Sequence, residues 1–223
     1  MTPLENKAYH VANQLHGNVK FGKSSTMIAQ LQKTAELLRK NTELSGEDRN
    51  ILLAAAYLNK CHELKRIDAE NGQKPMSLAE VKKMFGVKVA QVVGELMTEP
   101  DEPEHLTKMQ QWAIKADWAK GLSLAAQQIL LAEKIINYQQ TRDDPTPKWS
   151  VERHKEYLAS RQLMVDAVKG ASPKLYALAC QTKDEAMETL NRRAEWHLKQ
   201  ELKHLSVWIN WLKDKKFRIK SWF

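Results

Sequence analysis

Apolar residues in this chain recur at steps of three and four rather than two, and little interrupts them. Only eight glycines and seven prolines occur in 223 residues. That spacing puts the apolar side chains on one face of successive helical turns and is incompatible with a half-buried strand, so an all-α fold is expected. Helices are predicted over 4–16, 27–41, 46–66, 77–84, 87–97, 104–119, 123–140, 150–169, 172–181 and 183–214, with no convincing strand. The breaks fall where turn chemistry is dense: "HGNVKFGKSS", "ENGQKPMS", "TEPDEPE" and "TRDDPTPKW".

The last of these helices has its own pattern. Met187, Leu190, Ala194, Leu198, Leu202, Leu205, Ile209 and Leu212 form one apolar stripe of about seven turns. The opposite face is charged. Trp196, Trp208, Trp211 and Trp222 are four of the seven tryptophans, and the segment ends in "KDKKFRIKSWF". The stripe is expected to pack on the body of the same chain; the alternatives are a partner helix, a homo-oligomer through this helix, nucleic acid or a membrane surface.

Net charge is +8, and Lys183 to Phe223 holds ten Lys and Arg against six Asp and Glu, which is +4 of that excess. An anionic partner follows from such a balance: nucleotides, nucleic acid or an acidic protein face. The two cysteines, Cys61 and Cys180, exclude a disulfide framework and a four-thiolate zinc site, and they match a cytoplasmic location. "MTPLENKAYH" lacks the pattern of a cleavable signal. The longest uncharged, mainly apolar run, Gly121 to Ala132, is too short to cross a bilayer, so no transmembrane segment is expected.

Within "AAAYLNKCHELK" an apolar helix runs into Asn59, Lys60, Cys61, His62 and Glu63. Five polar groups in succession at the end of a core helix mark an active site or its remnant, because each is costly to bury unsatisfied. Three more signals flank it. Upstream, "AYHVANQLHGNVKFGKSSTMIAQ" places His16 before a basic loop with Lys20 and Lys23. Phe85-Gly86 is followed by Val89 and Val92-Val93. Downstream, "LLAEKIIN" with Glu133 and Asn137 precedes Trp149, Arg153, Glu156 and Tyr157.

In this order and spacing the segments resemble the HD-domain hydrolases of the RelA/SpoT type, including the small stand-alone guanosine polyphosphate hydrolases, over about residues 5–181. The resemblance implies an HD-domain-like helical bundle over 1–181, with 182–223 as a basic, Trp-rich extension forming a long C-terminal amphipathic helix. It also implies a divalent metal, usually manganese, held by a histidine after the first helix, a His-Asp pair and an aspartate in "LADK". Such a cation lowers the pKa of a bound water that then attacks phosphate.

Carried over position by position, that site is degenerate. His16 matches the first ligand. The His-Asp pair falls on Asn59 and Lys60, the aspartate of "LADK" is Glu133, and of the neighbouring acidic pair Glu63 is kept while Leu64 replaces the aspartate. Lys60 decides the expectation. An ammonium offers no lone pair, and placing it beside a dication costs several kcal/mol even at an effective dielectric of about 20. Lys60 is expected to stand in for the ion and neutralise Glu133 and Glu63. His62 is read as a surface helix histidine, and Cys61 as a small core residue. If metal were present, His16 and Glu133 would hold it.

On the substrate side the resemblance assigns Lys20, Lys23, Asn137, Arg153 and Tyr157 to a nucleotide pocket. The expected function is a catalytically inactive pseudo-enzyme that binds a protein partner or a phosphorylated nucleotide, with no catalytic residue and no cofactor. Two alternatives stand beside it: an altered metal-dependent phosphohydrolase using manganese, and a nucleic-acid-associated protein acting through its basic C-terminus.

Overall fold

Threonine and serine caps set where the helices begin. The computed structural model describes residues 1–21, 25–62, 74–146 and 148–220, with side chains described up to residue 211 in the last helix and not at Phe21. Thr2 accepts from the Glu5 N–H ahead of α1 (Pro3–His16), and Thr26 does the same for Ala29 ahead of α2 (Met27–Asn41). α3 spans Gly46–Leu58, α4 Leu78–Phe85 and α5 Val87–Met97. α6 (Lys108–Lys120), α7 (Leu124–Asp143) and α8 (Val151–Ala167) follow, capped by Thr107, Ser123 and Ser150. Each cap satisfies an N–H that the first helical turn leaves without a partner. A 3₁₀ turn, Lys169–Ala171, leads into α9, Pro173–Lys220.

The core is built around α3. Ile51 through Leu58 are buried without exception, so this helix is apolar all round and sits in the middle of the bundle. α1, α2 and α5 pack on it, and α7 closes the other side with Ile129, Leu131 and Ile135. α9 covers α7 and α8 through Leu175, Ala179, Ala186 and Leu190. The architecture is therefore all-α, as the spacing requires, with a long C-terminal helix.

Four details depart from the expectations. Lys20–Phe21 and Ser25–Thr26 pair as a small antiparallel ribbon (β1 and β2), with Lys20 opposite Thr26. Strands of two residues are too short to show alternation. The helix expected over 46–66 stops at Leu58. There the Cys61 N–H donates to the Leu58 carbonyl and Met76 closes on the Cys61 carbonyl, so Asn59 to His62 form a turn. The helix expected from 104 starts at Lys108, because Thr107 and Gln110 form a reciprocal cap.

The fourth departure concerns the C-terminus. The helices expected over 172–181 and 183–214 are one, so the boundary drawn at 181/182 falls inside α9. Thr182 sits buried there and its hydroxyl donates to the Leu178 carbonyl at 2.7 Å, which keeps a polar side chain inside an uninterrupted helix. The stripe packs on the body only as far as Leu190. Leu198, Leu202, Leu205 and Ile209 are exposed, which overturns the expectation that its whole length is covered by the same chain.

Candidate functional site

Two helix ends and one passing helix bring the degenerate positions together. α1 ends at His16, where the Gly17 N–H still donates to the Asn13 carbonyl at 2.8 Å and a Cβ on Gly17 would stand 2.6 Å from that oxygen. α3 ends at Leu58 and delivers Asn59 and Lys60 in a turn, and α7 passes beneath with Glu133. His16 is 2 % exposed, and its Nε2 lies 3.0 Å from the Lys60 carbonyl. A carbonyl only accepts, so Nε2 carries the proton and has no lone pair to offer. Asn59 is equally buried, and its Nδ2 donates to Glu133 Oε1 at 2.6 Å.

The side chains of Lys60 and Glu133 line one cleft, in a lobe of about 300 Å³ that Asn137 also borders. A second lobe of about 320 Å³ is lined by Trp149, Arg153 and Tyr157, and the two share Glu102, Trp112 and Arg161. The cleft thus gathers Lys60, Glu133, Asn137, Arg153 and Tyr157. His16 is buried behind it, Lys20 stands in the ribbon and does not line it, and Lys23 and Glu63 lie outside the described residues. His62 is half-buried and lies in the turn, not on a surface helix as expected. Cys61 is buried, and burial pushes its thiol up to about 12, which keeps it protonated and inert.

Between the lobes runs a row of charges and rings. Lys115, 7 % exposed, donates to Glu99 and Glu102, both at 2.8 Å, and Lys108 reaches Glu102 at 2.5 Å. The Lys108 and Lys115 ammoniums hold the Glu102 carboxyl down at about 2. Burial works against ionisation of Glu99, but Lys134, Lys115 and Lys60 together leave it below the usual carboxylate range. Lys115 is raised in turn, its two carboxylates outweighing the cost of burial. Lys134 goes the other way: burial lowers it, although Glu133 and Glu99 oppose the change.

Trp112 is the hub of this row. The ammoniums of Lys115 and Lys134 stand 5.0 and 5.1 Å from its ring centroid, and the Arg161 guanidinium 4.2 Å. Arg161 also lies 3.5 Å from the Tyr157 ring, while Arg153 covers Trp149 at 4.6 Å. Such cation–π contacts hold cations at the rim of an apolar wall. Sequence reasoning missed Glu99, Glu102, Trp112, Lys115, Lys134 and Arg161. A signal for one of them was present: Lys134 follows Glu133 inside "LLAEKII", a charge pair in an otherwise apolar turn.

No family model and no curated protein sequence matches the chain. A solved structure does, that of a metazoan ortholog of SpoT that hydrolyzes ppGpp and plays a role in starvation responses. It is 19 % identical, with a TM-score of 0.63, and the match covers 86 % of this chain and 97 % of that one. The fold is that of a ppGpp-hydrolase HD domain. At this identity the likeness establishes the fold alone.

The manganese that the sequence resemblance implies does not fit the described residues. The Nε2 of His16 is committed to a backbone carbonyl, the amide of Asn59 donates to Glu133, and the Lys60 ammonium acts on Glu99 and Lys134 in the same cleft. Among the described residues no three His, Cys, Asp or Glu side chains are grouped so as to hold a metal ion. A divalent cation would have to break two short hydrogen bonds and share the cleft with like charge.

Proposed function

We propose that the chain is an HD-domain scaffold without hydrolytic activity and that its cleft binds a phosphorylated nucleotide, the bound form serving as the signal to a protein partner. The observation that carries this reading is the Asn59 to Glu133 hydrogen bond beside the His16 to Lys60 carbonyl contact. Those four positions are where the resemblance expects metal ligands, and here two pairs of them satisfy one another. Hydrolysis needs an ionised water, whereas binding an anion needs only positive charge and donors.

The cleft walls support the second half of the reading. Lys60, Arg153 and Arg161 line it, beside the rings of Trp149 and Tyr157. Cations oppose phosphate oxygens, and ring faces suit a base. Guanosine tetraphosphate, the ligand of the structural relative, is the first compound to test.

The test combines metal analysis, turnover and binding. Purified protein supplied with manganese is expected to hold no stoichiometric metal and to release no pyrophosphate from guanosine tetraphosphate. Calorimetry is expected to show saturable binding that weakens at least tenfold in Arg153→Ala, whose guanidinium is exposed and leaves the core untouched. Stoichiometric manganese with turnover abolished by His16→Ala overturns the non-hydrolysing reading. Absence of binding across guanosine and adenosine polyphosphates overturns the nucleotide reading. The altered-hydrolase alternative requires a measurable baseline that rises when Asn59→His and Lys60→Asp are introduced together.

A further inference from the structure

Beyond the cleft, we propose that the distal half of α9 is an interfacial helix that lies on the surface of an anionic lipid bilayer. Beyond Leu190 no described residue of this helix is buried, and Trp196, Leu198, Leu202, Leu205, Val207, Trp208, Ile209 and Trp211 are all between 46 and 62 % exposed. At 3.6 residues per turn, Leu198, Leu202, Leu205, Trp208 and Ile209 fall within an arc of about 120°, with Glu201 also inside it toward its Trp208 edge. Arg192, Lys199 and Lys203 fall on the opposite side. Trp196 and Val207 also lie on that cationic side and play no part in the apolar face.

Charge selects the occupant. Residues 192–220 carry nine Lys and Arg against three Asp and Glu, a net +6. A second copy of the helix would set +6 against +6 along about 43 Å of rod, at a rise of about 1.5 Å per residue. A nucleic-acid backbone would pair the cations but leave Leu198, Leu205 and Ile209 in water. A bilayer with acidic headgroups takes both faces at once: the stripe enters the acyl boundary and the cations reach the phosphates. Among the described residues no helix is long and apolar enough to cross a membrane, so this one lies along the surface. Trp208, within the stripe, is the residue type that favours that depth.

The experiment uses the full chain and phosphatidylcholine vesicles with or without one third phosphatidylglycerol, read by flotation and tryptophan emission. Binding is expected to the acidic vesicles, with a blue shift, and to be lost in high salt. Each cation near such a surface is worth about 1 kcal/mol, so Lys199→Gln with Lys203→Gln weakens binding on the order of 25-fold. Leu205→Glu with Ile209→Glu abolishes it. All four residues are exposed, and circular dichroism and the melting midpoint check that the body is unchanged. The proposal is overturned if acidic vesicles are not bound, or if both variant pairs bind them undiminished. It is equally overturned if the same residues carry only self-association or only nucleic-acid binding, measured by sedimentation and by fluorescence anisotropy with a mixed-sequence oligonucleotide.

Discussion

The cleft and the distal half of α9 are both cationic, yet the two regions carry their charge in opposite ways. Lys115 and Lys134 are 7 and 6 % exposed, and the structure surrounds them with Glu99, Glu102, Glu133 and the Trp112 ring. Lys199 and Lys203 are exposed, so water solvates them and the fold asks nothing of their neighbours. A buried charge has to be neutralised by partners that the fold supplies, whereas an exposed charge is free to meet an outside one. That difference separates a charge that stabilises this molecule from a charge available for recognition.

The largest expected effect breaks the cleft side of this comparison. Lys115→Met leaves Glu99 and Glu102 without the ammonium they share and is expected to cost about 3 kcal/mol, measured by chemical denaturation. Lys199→Gln with Lys203→Gln in the same assay is expected to change stability by less than about 0.5 kcal/mol. Equal losses would remove the distinction.

A similar contrast holds for apolar side chains along the one helix. Leu190→Ala, at 2 % exposure, removes packing against the body and is expected to cost about 2–4 kcal/mol. Leu205→Ala, at 53 % exposure, is expected to leave the unfolding midpoint within error. A comparable loss at Leu205 would mean that the distal half is covered.

Acid sharpens the electrostatic side. Glu102 is held at about 2 against an ordinary value of 4.5, and Glu99 is also depressed. A carboxyl depressed on folding contributes stability that is fully present above its unfolded value and is lost as pH falls through its folded one. Stability is therefore expected to decline from about pH 4.5 toward about pH 2. In Lys115→Met the decline is expected to be shallower, because Glu99 and Glu102 each lose a partner that favours their ionised form. An unchanged slope would mean that Lys115 is not what holds these carboxylates ionised. The smallest effect is expected at the cleft rim, where Arg153→Ala should leave stability within about 0.5 kcal/mol while weakening nucleotide binding.

Much of the fold was legible. The 27–41 and 87–97 helices lie where their spacing placed them, because capping residues and apolar periodicity are local and act within one turn. The errors came from contacts distant in sequence. Nothing between residues 59 and 66 announces that Met76 will take the Cys61 carbonyl and end the helix early. Likewise no local pattern distinguishes Leu190, which the body covers, from Leu205, which it does not.

The candidate site divides along the same line. That Lys60 and Asn59 occupy positions where the resemblance expects a His-Asp pair was readable from residue identity, as was the poor chemistry of an ammonium as a ligand. That the Asn59 amide engages Glu133, and that His16 turns its proton toward the Lys60 carbonyl, depends on where α1, α3 and α7 come to rest. The row of Glu99, Glu102, Lys115, Lys134 and Arg161 around Trp112 draws on α6, α7, α8 and the segment after α5.

By itself the sequence determined the helical class, most helix starts, the basic balance and the replacement of metal-binding residue types. Each of these follows from the chemistry of single side chains or from spacing within a few turns. Only the tertiary structure decided which polar groups satisfy one another in the cleft and how far the body covers α9. Burial and pairing are properties of what packs against a residue, and those partners lie tens of residues away along the chain.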